Sequence, residues 1–141
     1  EERMANFERL VPRLHTAGLV DADLHLDPLV FPISTDGGNG KRFLDTVAAA
    51  RARFGRDAHI VAGLSNVSFG MPNRKLINQV FTHLCTARGL DGGIVDPLQI
   101  NAQDLQRLDP NAESYALARA FLLGEDAFGM KFIGAVRAGK I

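Results

Sequence analysis

The sixteen residues His59–Arg74, "HIVAGLSNVSFGMPNR", decide how the chain is to be read. "HIVAGL" is a continuous apolar run, the pattern of a strand whose two faces are both covered by other layers. The segment after it is unlike an ordinary surface loop. Ser65, Asn66, Ser68, Asn73 and Arg74 bring hydroxyls, amides and a cation to the end of that strand. Beyond them Leu76, Ile77, Val80, Phe81 and Leu84 recur at helical spacing, with Asn73 placed to cap the helix and Gly89 to close it.

The same unit repeats on either side. Upstream, Met4, Phe7, Leu10, Val11 and Leu14 mark a helix with Pro12 inside it, where the missing backbone donor restricts regular geometry or kinks the helix. Leu24–Leu26 read as a short strand ended by Asp27-Pro28. After the turn-rich "ISTDGGNG", the residues Phe43, Leu44, Val47, Ala50 and Phe54 give a second helix. Downstream, "GGIV" (92–95) reads as a strand ending at Asp96-Pro97, and a helical turn follows Asn101. Asp109-Pro110 predicts the N-cap and first residue of a helix carrying Tyr115, Ala118, Phe121 and Leu122. Phe128, Phe132, Ile133 and Val136 predict one more.

Strands alternating with helices call for parallel strands joined by helical crossovers. Three strands cannot close a barrel, and an open sheet of three would leave apolar surface bare. The expectation is therefore an α/β fold: residues 1–141 as the C-terminal part, about the last three βα units, of a single (β/α)8 TIM barrel. The start at Glu1, already in a helical pattern, fits an N-terminal portion lying upstream. In such barrels the loops at the C-terminal ends of the strands build the site. Asp27, the Ser65–Asn66 pair and Asp96 then share one face.

Composition narrows the partners. Lys plus Arg and Asp plus Glu number 16 each, which gives no electrostatic case for nucleic acid or a membrane surface. No apolar run approaches the roughly 18 residues of a membrane span. The single cysteine, Cys85, leaves no internal disulfide and suits a reducing cytoplasmic setting.

Each candidate residue has a functional reading and a plain one. Asp27, directed by the proline after it, can accept two hydrogen bonds from a ring bearing adjacent N–H and NH₂ donors, or simply shape its turn. The amide of Asn66 is both donor and acceptor, suited to a ligand atom whose protonation changes; asparagine is also a common residue where a strand turns into a loop. Arg74, at a helix start, is a cation against the helix dipole. It either meets an anionic ligand or reaches solvent. Asp96 either lines the pocket or ties down its own loop. Ser65 and Ser68 have no neighbouring histidine and no nucleophile elbow. His15, His25, His59 and His83 are scattered, so no metal site is expected.

Three motifs then add up. "DPLVFPIS", "GLSNVSFGMPNRKLINQVF" and "GLDGGIVDPLQ" resemble, in order and spacing, the pterin-binding methyltransferases that move a methyl group between tetrahydrofolate and a corrinoid protein. The specific part is "LSNVSFGMPNR". The resemblance covers most of residues 1–122 and is more distant to the folate domain of methionine synthase. It implies 5-methyltetrahydrofolate as substrate and a corrinoid (cobalamin) carried by a partner protein, with a homodimer as one assembly seen in the family. It implies Asp27 on the amino-pyrimidinone edge of the pterin, Asn66 reaching N5 as the catalytic group, Arg74 near the folate's outer part, and Asp96 facing the pocket. The family's remaining pterin-binding aspartate and asparagine come from the earlier half of the barrel, so activity is expected to need that half. Dihydropteroate synthase shares barrel and pterin, but its last strand carries an arginine and a histidine where this one runs "GGIVDPLQ". The alternative from another class is a barrel fragment or docking module that no longer binds folate alone.

Overall fold

The computed structural model describes residues 2–141 and places three parallel strands side by side, with helices between them in sequence. The order is α1 (Glu2–Thr16), β1 (His25–Leu26), α2 (Asn39–Phe54), β2 (His59–Gly63), α3 (Arg74–Ala87), β3 (Gly92–Ile94), α4 (Ala102–Gln106), α5 (Glu113–Leu122) and α6 (Met130–Arg137). β2 lies in the middle. His25 pairs with His59 and Leu26 with Ile60 on one side, and Val61, Ala62 and Gly63 pair with Gly92, Gly93 and Ile94 on the other. The mixed α/β architecture and the parallel pairing are those expected from the alternation of motifs.

Alternation along β2 separates the two faces of the sheet. Ile60 and Ala62 are buried in a core that includes Phe43, Val47, Val80 and Phe81, so the helices cover that face. His59, Val61 and Gly63 point the other way and are half-buried. On this uncovered face His25 and His59 stack with ring centroids 4.8 Å apart. Glycine leaves room at β3: a Cβ on Gly92 would lie 2.6 Å from Cγ1 of its strand partner Val61, so one of the two would have to shift.

Aromatic pairs join the helices. Phe7 meets Phe54 between α1 and α2, Phe43 meets Phe81 between α2 and α3, and Phe121 stacks on Phe132 between α5 and α6. Cys85 is a fully buried core residue, and burial pushes its thiol pKa up. The helical turn expected after Asn101 is α4, and Asn101 caps it, its Oδ1 accepting from the Asp104 amide at 2.9 Å.

Several local expectations give way. β1 is only two residues long, because Asp21–Asp23 form a 3₁₀ turn and Leu24 caps it, although the Leu24 carbonyl still accepts from the His59 amide at 2.9 Å. α1 continues through Pro12 to Thr16, whose hydroxyl donates to the Pro12 carbonyl. Asp109-Pro110 does not open α5. The Asp109 carbonyl and carboxylate are taken by the amides of Ala112 and Asn111, which makes a turn and delays the helix to Glu113. Asn73 precedes α3 but sits in the left-handed region (φ 47°) and makes no side-chain cap. Phe128 is 94% exposed in a left-handed turn, and Phe132 carries the burial of α6 instead.

Candidate functional site

Because the strands are parallel, the segments after β1, β2 and β3 leave the sheet at one edge, and these hold Asp27, Asn66 and Asp96. They are not level. Leu26, the end of β1, pairs with Ile60, so β2 runs three residues further, roughly 10 Å at the rise of a strand. Asp27 is therefore deep in the edge and Asn66 is at its rim. By alternation Asp27 shares the uncovered face with His25.

Asp27 and Asp96 start matching "DPL" turns. Asp27 Oδ1 accepts from the Leu29 amide at 2.8 Å, and Asp96 Oδ1 from the Leu98 amide at 3.0 Å. These local bonds fix each carboxylate and each turn together. In the first turn the bond helps to hold Leu29 at φ 58°, an uncommon conformation for a branched side chain. The turns then differ. Asp96 Oδ2 also accepts from the Gln99 side chain at 3.0 Å, so both of its oxygens serve their own loop. Asp27 commits one oxygen only, among the described residues. Both side chains are exposed.

Asn66 stands in a 3₁₀ turn, Leu64–Ser68, that continues directly from β2. Leu64, Val67 and Ser68 are buried and anchor the turn, while Asn66 is exposed. A Cβ on Gly63 would lie 3.2 Å from Asn66 Nδ2, so the amide folds back over the end of β2 and glycine makes room for it. Among the described residues the side-chain amide of Asn66 has no hydrogen-bond partner, which leaves donor and acceptor both available to a ligand.

The cation in the same loop is otherwise engaged. Arg74 donates from Nε to Ser68 Oγ and from Nη2 to the Ser65 carbonyl, each at 3.0 Å. Two ties from the β1–α2 loop complete the rim. Ser34 Oγ donates to the Phe69 carbonyl at 2.7 Å, and the Ile33 amide donates to the Val67 carbonyl at 3.0 Å. Sequence reading found Asn66 and its loop but not Ser34, whose partner is 35 positions away, and it had no role for Ser68.

Residues 1–96 match the family of pterin binding enzymes. The chain belongs to the pterin-binding enzyme family. Over all 141 residues it is 32% identical to the methylcorrinoid:tetrahydrofolate methyltransferase of Eubacterium limosum, and it spans 48% of that protein. Over 88 residues, 59% of the chain, it is 35% identical to the methionine synthase of Mycobacterium tuberculosis, of which this is 7%. The methionine synthase of Mycobacterium leprae is 33% identical over 106 residues, 71% of the chain and 9% of that protein. The chain thus spans about half the length of the first relative and far less of the other two. The family and the kind of chemistry named in these relatives agree with what the three sequence motifs imply. No described helix is long and apolar enough to cross a membrane.

Proposed function

We propose that this chain is the C-terminal part of a (β/α)8 barrel that transfers a methyl group between 5-methyltetrahydrofolate and a corrinoid protein, in a cytoplasmic setting. A parallel sheet with helices on one face and polar groups on the other supports the barrel. The span of 48% of the methyltransferase relative supports a part of one. The single observation that carries the site is the Asn66 amide, folded over Gly63 with no partner of its own among the described residues.

In this reading the bicyclic pterin enters at the C-terminal edge. Its amino-pyrimidinone edge meets the free oxygen of Asp27, deep in the edge, and N5 lies under Asn66 at the rim. The stagger between β1 and β2 puts the two groups at different depths along the edge, with the longer reach left to the side chains. Asp96 holds the third loop in shape at the side of the pocket, and Arg74 lies behind Asn66 in the same loop.

N5 of methyltetrahydrofolate is a tertiary amine, a poor leaving group until it is protonated or strongly hydrogen-bonded. Asn66 can hold N5 in the ground state and tighten as charge develops there, which is stabilisation specific to the transition state. It carries no acidic proton, so water supplies one. The corrinoid of the partner protein, when bound, supplies the cobalt that gives or receives the methyl group. The exposed rim around Asn66 fits an approach by such a partner.

The test is methyl transfer from 5-methyltetrahydrofolate to a reduced corrinoid, followed by the corrinoid's absorbance, in the full-length protein. Transfer that Asn66→Ala slows without weakening folate binding supports the reading. A wild type that neither binds folate nor transfers the methyl group, with its corrinoid protein present, favours the docking module instead.

A further inference from the structure

Resting on the reading of Asn66 just given, we propose that Arg74 and Ser68 are positioning residues that hold Asn66 over the end of β2, and that Arg74 does not act as the ion-pair partner of the folate carboxylates. The geometry is a closed ring of polar contacts behind Asn66. Arg74 Nη2 donates to the Ser65 carbonyl, Arg74 Nε donates to Ser68 Oγ, and Ser68 Oγ donates onward to the Ser65 carbonyl at 3.3 Å. Asn66 stands between the two residues that Arg74 grips.

Two members of the ring are fixed from outside it. Ser68 is fully buried, so water cannot easily replace the arginine on its hydroxyl. Arg74 is the first residue of α3, and Ile77, Val80 and Phe81 seat that helix in the core with no exposure. A guanidinium offers two adjacent N–H vectors in one plane, which a lysine ammonium cannot reproduce. This also accounts for a cation at a helix start, where the dipole disfavours it. The guanidinium turns back onto a carbonyl and a hydroxyl of the preceding turn.

The ring matters because the Asn66 side chain has no hydrogen bond of its own among the described residues, so its position follows the backbone of the turn. Its reach to N5 is set by the 3₁₀ turn, and misplacement of such a group by about 1 Å costs on the order of 10²-fold in rate. An arginine that bound the folate carboxylates would give a different phenotype, a loss of affinity that depends on the glutamate.

The experiment compares Arg74→Ala, Arg74→Lys, Ser68→Ala and the Arg74→Ala/Ser68→Ala double variant in the full-length protein. The substrates are 5-methyltetrahydrofolate and a 5-methyltetrahydropterin that lacks the aminobenzoylglutamate tail. Positioning predicts that Arg74→Ala lowers kcat by about 10²-fold and leaves KM unchanged. The loss is the same with either substrate, Lys does not rescue it, and the double variant is no worse than Arg74→Ala alone. A raised KM with kcat intact, confined to the substrate that carries the tail, overturns the proposal. A second arm needs no substrate. The amides of Phe69 and Met71 bond to the Asn66 and Ser68 carbonyls, and their hydrogen exchange is expected to speed up in Arg74→Ala while that of α3 is unchanged. Unchanged exchange at Phe69 and Met71 overturns the clamp. If wild type transfers no methyl group at all, the methyltransferase reading fails, and the exchange arm still decides whether Arg74 holds the turn.

Discussion

The two ends of the sheet use polar residues in opposite ways. At the N-terminal end Arg51, only 17% exposed along its side chain, donates to the carbonyls of Gly55, Ala58 and Gly89 and pairs with Asp91 at 3.2 Å. Asp91 in turn accepts from the Ile60 amide at 2.7 Å and contacts His59 Nδ1 at 2.9 Å. Every one of these groups answers another, and together they tie α2 to the entries of β2 and β3. At the C-terminal end the carboxylates and the arginine hold only their own loops, and Asn66 answers to none of the described residues. One end commits its polarity to stability; the other keeps an amide and a carboxylate oxygen free, which is what a binding edge requires.

Four substitutions test that contrast, in descending order of effect. Asn66→Ala is expected to lower the methyl-transfer rate by roughly 10²–10³-fold, about 2.7–4 kcal/mol of barrier. Its unfolding free energy should stay within about 0.5 kcal/mol of wild type, as for an exposed side chain without partners. A large loss of stability would mean that Asn66 is structural. Arg51→Ala should do the reverse, costing about 3 kcal/mol in urea unfolding because three carbonyls and a carboxylate lose their donor. Folate affinity measured on the folded fraction should not change.

Gly63→Ala sharpens the comparison at a single contact. The added methyl would meet Asn66 Nδ2 at 3.2 Å, so the amide must move by a few tenths of an ångström. The expected result is a rate loss of about tenfold with a stability change below about 1 kcal/mol, since the obstacle is a movable side-chain end. An unaltered rate would show that the amide does not work from this position.

The smallest effect depends on pH. Burial alone would raise the Asp91 pKa, but the hydrogen bonds from His59 and the Ile60 amide and the charge of Arg51 outweigh it, and the net shift is downward. A carboxyl whose folded pKa lies below its unfolded value, about 3.9, contributes stability above that value and loses it as pH falls through the folded pKa. Melting curves of wild type and Asp91→Asn should therefore be furthest apart near neutral pH and converge below about pH 4. A constant gap would contradict the ionic role.

The sequence was legible where a physical pattern was long enough to repeat. The faces of α2 and α3, the apolar run of β2 and the order of elements follow from periodicity, and the common edge of Asp27, Asn66 and Asp96 follows from parallel pairing. Choices made by one hydrogen bond were not legible. Asp109-Pro110 has the composition of a helix start, yet Asn111 and Ala112 close a turn on it first. Asn73 has the right side chain for a cap and the wrong backbone angle to make one. Phe128 fits the helical spacing of α6, but the left-handed turn ahead of that helix turns it to solvent. At the site, the two "DPL" turns read as equivalent, and only the Gln99 contact distinguishes the committed carboxylate from the one with an oxygen to spare.

A pterin site at the C-terminal edge is tested most directly by calorimetric titration of 5-methyltetrahydrofolate into the full-length protein, wild type beside Asp27→Ala and Arg51→Ala. Wild type and folded Arg51→Ala should bind alike, while Asp27→Ala loses binding. Binding that survives Asp27→Ala, or a wild type that ignores the folate, would contradict a pterin site at that edge of the sheet.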